Sequence, residues 1–152
     1  MIRIYTDGAA QGNPGPGGYG VVLKYKDHVK ELSQGFRRTT NNRMELLAVI
    51  KGLEAIKKEG IPVSIYSDSE YVVKAVKEGW LWNWEKKNFA KKKNADLWKQ
   101  YIPLHKKHRP EFHWIRGHAG HPENERCDYL AVKAATSPGL LIDEAYEKSV
   151  DS

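Results

Sequence analysis

Only one of the 152 residues is cysteine, Cys127, and this scarcity excludes an internal disulfide. Long apolar runs are also missing, since no stretch approaches the roughly 18 residues that a membrane-spanning helix needs. Met1-Ile2-Arg3 leads directly into a strand-like run, so we expect no signal peptide. A single thiol suits a reducing compartment, and we therefore expect a cytoplasmic protein without a membrane partner.

Acidic residues are outnumbered: 19 Asp and Glu face 25 Lys and Arg, which gives a net charge of +6. This balance favours a polyanionic partner. The apolar fraction of 40% excludes a disordered chain, and the length suits one domain. We predict a single domain over residues 1–137 and a loosely attached acidic tail over residues 138–152, with nothing that demands a second chain.

The sequence contains nearly the same tetrapeptide twice, as Ile4-Tyr5-Thr6-Asp7 and as Ile65-Tyr66-Ser67-Asp68. Each copy closes a β-branched and aromatic run that is typical of a strand. Adjacent parallel strands would bring the two aspartates within about 4.8 Å, where a divalent cation relieves their repulsion. Aspartate also ends many strands simply because it suits turns, but the pair favours a metal site.

The order of predicted elements indicates a mixed α/β domain with a five-stranded sheet. A glycine-rich loop over residues 8–18 precedes two antiparallel strands, and a helix over residues 41–58 links them to the second aspartate strand. A short helix, a basic insertion over residues 79–95, another helix, a short strand and a last helix follow. Asn42 is the expected N-cap of the first helix, with Glu45 in the capping-box position.

Two further acids, Glu45 and Asp128, fall where they could join Asp7 and Asp68. Hard cations such as Mg²⁺ or Mn²⁺ prefer carboxylate oxygens supplied by separate elements. Each acid also has a structural explanation, because Glu45 could serve only the helix cap and Asp128 only a helix surface. The pattern alone therefore leaves the convergence of the four acids open.

Several motifs resemble bacterial type 1 ribonuclease H, in that family's order and over all of the chain except the tail. The most specific are Asn41-Asn42-Arg43-Met44-Glu45 and Gly117-His118-Ala119-Gly120-His121, which leads to Asp128. Shorter matches are Tyr5-Thr6-Asp7-Gly8, Gly12-Asn13-Pro14-Gly15 and Ser67-Asp68-Ser69.

The resemblance implies a ribonuclease H-like fold with a basic protrusion and endonucleolytic hydrolysis of the RNA strand in RNA–DNA hybrids. It implies two Mg²⁺ or Mn²⁺ ions held by Asp7, Glu45, Asp68 and Asp128, and products with 5′-phosphate and 3′-hydroxyl ends. His118 would assist catalysis or product departure, which suits an ordinary histidine pKa near 6.5. The alternative is that His118 is a solvated loop residue.

The basic insertion carries lysines that suit phosphates, together with tryptophans that either contact the substrate or pack on each other. The resemblance assigns this protrusion to the DNA strand, a phosphate pocket to Arg38, Thr40 and Asn94, and minor-groove contacts to three asparagines. The predicted substrate-binding residues are Asn13, Arg38, Thr40, Asn41, Asn42, Trp80, Trp84, Lys86, Lys87, Lys91, Lys92 and Asn94.

Two residues depart from the family pattern: Glu70 stands where Gln is frequent, and Phe89 where Trp is frequent. Glu70 could weaken RNA contact or change the metal dependence. A zinc site built from His113, His118, His121 and Cys127 lacks paired-cysteine spacing, and Cys127 lies on an apolar helix stripe that suits the core rather than a nucleophile. The rival functions are a noncatalytic hybrid-binding module and a DNA nuclease or recombinase of the same superfamily.

Overall fold

The computed structural model describes residues 1–117 and 120–150, which form a mixed sheet flanked by helices. The elements are β1 (Ile2–Ala10), β2 (Gly15–Tyr25), β3 (His28–Thr39), α1 (Asn41–Glu54), β4 (Val63–Ser67), α2 (Glu70–Lys77), α3 (Trp80–Lys86), α4 (Ala95–His108), β5 (Glu111–Trp114), α5 (Pro122–Thr136) and α6 (Glu144–Val150). The strand order in the five-stranded sheet is β3-β2-β1-β4-β5, which confirms the predicted fold class.

The two tetrapeptide copies lie side by side in the sheet. Strands β1 and β4 are parallel, with Tyr5 opposite Tyr66 and Thr6 opposite Ser67. The next residue on each strand is the aspartate, so Asp7 and Asp68 reach the same edge of the sheet. The predicted parallel pairing is confirmed.

The main core lies between one face of the sheet and helices α1 and α4. Leu46, Ile50 and Leu53 on α1 are fully buried, as are Ile4 and Ile65 on the two central strands. These are the apolar positions at helical spacing along α1 and at alternate positions along the strands. Burying this stripe against the sheet fixes how α1 is rotated, and with it the direction of its polar side chains.

Helix α5 packs on the opposite face of the sheet over the glycines of β2. A Cβ atom on Gly18 would lie 2.6 Å from the Ala131 carbonyl oxygen, and one on Gly20 would meet the Cys127 carbonyl oxygen. The strand backbone therefore touches the helix directly. The predicted glycine-rich loop over residues 8–18 is wrong at both ends, because β1 continues to Ala10 and pairs with β2, which begins at Gly15. Only residues 11–14 lie between the two strands.

Thr40, rather than Asn42, is the N-cap of α1. The Thr40 hydroxyl accepts a hydrogen bond from the Arg43 backbone N–H at 3.2 Å, and the helix ends at Glu54, before the predicted residue 58. The capping-box interpretation of Glu45 is therefore wrong, because Arg43 occupies the third helical position. Glu45 is free to face another part of the molecule.

The segment after α5 is attached to the domain at three places, so the expectation of a loose tail is wrong. The Leu141 backbone pairs with Gly35 and Arg37 along the outer strand β3. The Asp143 carboxylate is buried against Arg43, and α6 binds Arg37 through Glu147. The division of the chain at residue 137 stays a prediction. Among the described helices, none has the length and apolar character required to cross a membrane.

Candidate active site and nucleic-acid interface

Three of the four predicted acids form a compact cluster at the edge of the sheet. Asp7 lies on β1, Asp68 follows β4, and Glu45 lies near the start of α1. One carboxylate oxygen from each lies within 4.8 Å of the other two. Asp7 and Glu45 are buried and Asp68 is half-buried. Distant parts of the sequence therefore bring three negative side chains to one place.

Gly8 makes this approach possible. A Cβ atom at position 8 would lie 2.5 Å from the Met44 carbonyl carbon and 2.8 Å from the Met44 Cβ. A larger residue would push the first turns of α1 away from β1. The absence of a side chain on Gly8 therefore places Glu45 beside Asp7.

The cluster favours protonated carboxyl groups when no cation is present. Burial, followed by the charge of Asp68, raises the pKa of Asp7 to about 7. Burial and the neighbouring Asp7 and Asp68 raise the pKa of Glu45 well above its ordinary value. A divalent cation would reverse this preference, because its charge stabilises the ionised carboxylates.

Unpaired oxygens in the cluster show that the donor set fits a hard cation. Glu45 Oε1 and Asp68 Oδ1 are buried and receive no hydrogen bond within the described part of the chain. Asp7 Oδ1 accepts a hydrogen bond from the Gly8 N–H at 2.9 Å. A buried carboxylate oxygen without a donor is costly, and coordination to Mg²⁺ or Mn²⁺ would satisfy it.

The other two predicted catalytic residues are Asp128 and His118. Asp128 is half-buried on α5 and is not part of the 4.8 Å group, although its charge is the smallest contribution that raises the pKa of Asp7. His118 lies outside the described residues. The roles of Asp128 and His118 stay predictions.

The described members of the alternative zinc site have other partners. His113 stacks on Tyr66 with ring centroids 4.8 Å apart. Cys127 is buried and donates its S–H to the Tyr5 carbonyl oxygen at 3.2 Å, and burial raises the pKa of the thiol. Within residues 1–117 and 120–150, neither joins a group of three potential ligands. Cys127 has the environment of a core residue, not of a nucleophile.

A groove of about 680 Å³ contains most of the residues predicted to bind the phosphates and the minor groove. Its lining includes Asn13, Thr40, Asn42, Lys92 and Asn94. The Asn13 side chain accepts a hydrogen bond from the Asn41 N–H at 3.2 Å, which joins the two asparagine motifs. Arg38 is exposed on β3 and is not among the lining residues of this groove.

The predicted protrusion is helix α3 and the turns that follow it. Lys86, Lys87, Lys91 and Lys92 are all exposed. The two predicted tryptophans differ in exposure. Trp80 is 43% exposed, whereas Trp84 is half-buried against Trp98, with the ring centroids 5.9 Å apart. Lys92 Nζ lies 5.1 Å from the Trp84 ring centroid. Trp84 therefore supports the lysine surface, and Trp80 is available to a ligand.

The two departures from the family pattern have different surroundings. Glu70 is exposed in the first turn of α2, and its carboxylate lies 3.7 Å from the Lys74 ammonium group. Phe89 is buried, with the Lys99 ammonium group 5.9 Å from its ring centroid. Phe89 therefore supports the protrusion from within, while Glu70 adds a negative charge two residues after Asp68.

Sequence reasoning missed residues that line the groove or hold its lining residues in place. Tyr71 accepts hydrogen bonds from Asn94 and Trp98, and the buried Arg43 contacts Asn94. Tyr146 and Ser149 of α6 line the same groove as Lys92 and Lys93. The sequence does contain a signal for Arg43, because an arginine among the apolar positions of a core helix requires acidic partners. No comparable signal pointed to α6.

Comparison with known proteins gives a consistent result. The RNase H family profile matches residues 1–136. A ribonuclease H of Desulforamulus reducens is 56% identical over 147 residues, covering 93% of this chain and 92% of the relative. A ribonuclease H of Syntrophus aciditrophicus is 54% identical over 151 residues, covering 96% and 87% respectively.

Two solved structures resemble this chain over most of its length. LC9-RNase H1, a type 1 RNase H with the type 2 active-site motif, superimposes with a TM-score of 0.79 at 32% identity, covering 99% of this chain and 81% of the other. LC11-RNase H1, solved in complex with an RNA/DNA hybrid, gives a TM-score of 0.67 at 28% identity, with coverage of 96% and 99%.

Proposed function

This chain belongs to the ribonuclease H family, and we propose that it cleaves the RNA strand of RNA–DNA hybrids internally, leaving 5′-phosphate and 3′-hydroxyl ends. The observation that carries the proposal is the convergence of Asp7, Glu45 and Asp68 within 4.8 Å. The relatives named ribonuclease H and the hybrid bound by LC11-RNase H1 support the same substrate.

We assign Asp7, Glu45, Asp68 and Asp128 as the ligands of the divalent ions that this family uses. Mg²⁺ is the proposed cation, Mn²⁺ the alternative, and two ions the proposed number when substrate is bound. Such ions supply an activated water, neutralise charge at the phosphorus and stabilise the leaving oxygen. The buried position of Glu45 and the unpaired oxygens of Glu45 and Asp68 support this assignment.

The protein's own residues orient these groups and exchange protons. The Gly8 N–H holds one oxygen of Asp7 at 2.9 Å, which limits rotation of that carboxylate. We assign His118 to proton exchange with the attacking or leaving oxygen, because its loop precedes the helix that carries Asp128. Asp68 is the half-buried member of the cluster and keeps it partly accessible from solvent.

The hybrid would lie across the protrusion and the groove, which share Lys92. Exposed lysines of the protrusion would bind phosphates of the DNA strand, while Thr40, Asn94 and Arg38 would bind another phosphate. Asn13, Asn41 and Asn42 would contact ribose 2′-hydroxyls of the RNA strand. Detecting the 2′-hydroxyl on one strand and its absence on the other would select hybrids without selecting sequence.

A cleavage assay with end mapping tests this proposal. The substrates are one RNA–DNA hybrid, the matching duplex DNA and the matching duplex RNA, each with Mg²⁺, with Mn²⁺ and with EDTA. We expect hybrid cleavage that requires a divalent cation, and its loss in Asp7→Asn. Asp27→Asn is the matched control, because Asp27 is exposed in the β2–β3 turn.

Hybrid binding without cleavage under every cation condition would instead support the noncatalytic binding module. Cleavage of duplex DNA at a comparable rate would support a DNA nuclease. Either result would contradict the proposed function.

A further inference from the structure

Acceptors on three residues, from two parts of the chain, use every donor of the buried Arg43 side chain. Nε donates to Asp143 Oδ2 at 2.7 Å and Nη2 to Asp143 Oδ1 at 2.9 Å. Nη1 and Nη2 donate to the two oxygens of Asp96 at 2.8 and 2.7 Å, and Nη1 also donates to Asn94 Oδ1 at 3.3 Å. A guanidinium group has five N–H donors, so every donor of Arg43 is used within the protein. Arg43 has none left for a substrate phosphate.

Asp143 connects the segment before α6 to the start of α1. Besides its two bonds from Arg43, it accepts a hydrogen bond from the Thr39 hydroxyl at 2.7 Å. Thr39 is the last residue of β3, and its neighbour Thr40 is the N-cap of α1. The three bonds to Asp143 therefore fix the turn that presents Thr40, Asn41 and Asn42.

The amide of Asn94 is held on both sides. Its oxygen accepts from Arg43 at 3.3 Å, and its nitrogen donates to the Tyr71 hydroxyl at 3.1 Å. Asn94 is in the left-handed region with φ 63°, and its side chain does not cap α4. The orientation of this amide in the groove therefore depends on Arg43 and Tyr71.

We propose that Asp143 is a positioning residue for the substrate groove, acting through Arg43 on Asn94 and through Thr39 on the start of α1. This inference rests on the proposed function, since it assigns the groove to the hybrid. Asp143 itself contacts no substrate. It holds the two walls of the groove, α1 and the N-terminal end of α4, at a fixed separation.

A purely electrostatic role for Asp143 predicts the opposite effect on hybrid binding from a positioning role, so the two can be distinguished. Arg43 with Asp96 and Asp143 has a net charge of −1, close to lysines that would bind phosphates. If Asp143 acted only through its charge, neutralising it would strengthen polyanion binding. If it positions the groove, neutralising it leaves a buried Arg43 donor poorly satisfied and weakens binding.

The test compares Asp143→Asn with Glu147→Gln. Glu147 is also in the C-terminal segment and forms a bidentate ion pair with Arg37 at 2.9 and 2.8 Å, but it is not among the residues that line the groove. For Asp143→Asn we expect KM for a hybrid to rise about 3- to 10-fold, with kcat within about 2-fold of the original value. For Glu147→Gln we expect both parameters to stay unchanged. Hybrid affinity measured by fluorescence anisotropy in EDTA should follow KM.

Tyr71→Phe provides a second test that keeps the fold. It removes the hydroxyl that holds Asn94 but keeps the ring that packs on Trp98 with centroids 5.8 Å apart. We expect a smaller rise of KM in the same direction. Mn²⁺ affinity should be unchanged in all three variants.

An unchanged or lowered KM in Asp143→Asn, or an equal rise in Glu147→Gln, would overturn the positioning role. Failure of the unmodified protein to cleave hybrids would instead contradict the proposed function. The anisotropy measurement in EDTA separates the two failures, because it reports binding whether or not cleavage occurs.

Discussion

Asp7 follows Thr6 on β1, and Asp68 follows Ser67 on β4. Thr6 and Ser67 lie opposite each other in this parallel strand pair. The repeat in the sequence is therefore a repeat in space, and two carboxylates meet at the same edge of the sheet. Glu45 completes the cluster from α1 because Gly8 lets the helix approach. The consequences for stability and activity can be measured.

Replacing Asp7 by Asn should stabilise the metal-free protein while abolishing hybrid cleavage. The substitution removes one of three crowded acids whose charged forms are disfavoured by burial and mutual repulsion. We expect the melting temperature in EDTA near about pH 8 to rise by roughly 3–8 °C. Asp27→Asn should leave it unchanged, and a lower melting temperature for Asp7→Asn would contradict the crowding.

Stability of the metal-free protein should fall as the pH rises from about 5 to about 8. Asp7 and Glu45 have raised pKa values in the folded state, so the folded protein binds more protons than the unfolded chain in this window. The free energy of unfolding therefore decreases as the pH rises and these protons are lost. Urea unfolding in EDTA at both ends of the window measures the loss.

The same unfolding series with saturating Mg²⁺ is the control. Cation binding supplies the positive charge that protons supply at low pH, so the fall in stability should be largely cancelled. A pH dependence that is identical with and without Mg²⁺ would count against cation binding at the acidic cluster.

Gly8→Ala should weaken metal binding as well as the fold. The added Cβ meets the Met44 backbone at 2.5 Å, so α1 must move and take Glu45 with it. We expect a loss of about 1–3 kcal/mol in the free energy of unfolding. Mn²⁺ affinity should fall at the same time.

Gly60→Ala is the matched control for this substitution. Gly60 has φ +82° and nothing within 4 Å of an added Cβ, so it should lose stability through backbone strain alone. Its Mn²⁺ affinity should stay unchanged. If Gly8→Ala kept full Mn²⁺ affinity, the close contact would not be what positions Glu45.

Replacing Lys91, Lys92 and Lys93 together by Ala should raise KM and reduce the salt dependence of hybrid binding. Each lysine that contacts a phosphate contributes about one unit to the slope of log K against log salt concentration. The control is a triple substitution of the exposed Lys30, Lys57 and Lys58 by Ala, which removes the same charge from surface outside the protrusion. Equal effects from both triples would show that net charge, not the protrusion, controls binding.

The strand repeat and the helical spacing of Leu46, Ile50 and Leu53 were sufficient to predict the sheet and the core helix. These patterns succeed because burial acts on every second residue of a strand and on one stripe of a helix. These patterns did not predict that Glu45 joins the acidic cluster, because a role in the helix cap explained an acid at this position equally well. Contact between β1 and α1 at Gly8 decided between the two.

Two errors have the same physical origin. The glycines after Asp7 resemble a turn-rich loop, but Gly18 lies in a strand that touches α5 directly. The acidic composition of the C-terminal segment resembles a solvated tail, but Asp143 meets a buried arginine located 100 residues earlier in the sequence. Long-range contacts of this kind leave no periodic signal.

The central claim, that Asp7 and Glu45 help to form a metal site, is tested most directly by titrating Mn²⁺ into the protein. The titration compares the unmodified protein with Asp7→Asn, Glu45→Gln and Asp27→Asn, and electron paramagnetic resonance measures the free ion. The account predicts Mn²⁺ binding by the unmodified protein and Asp27→Asn, and a large loss of affinity in both cluster variants. Equal affinity in all four proteins would contradict a metal site formed by these acids.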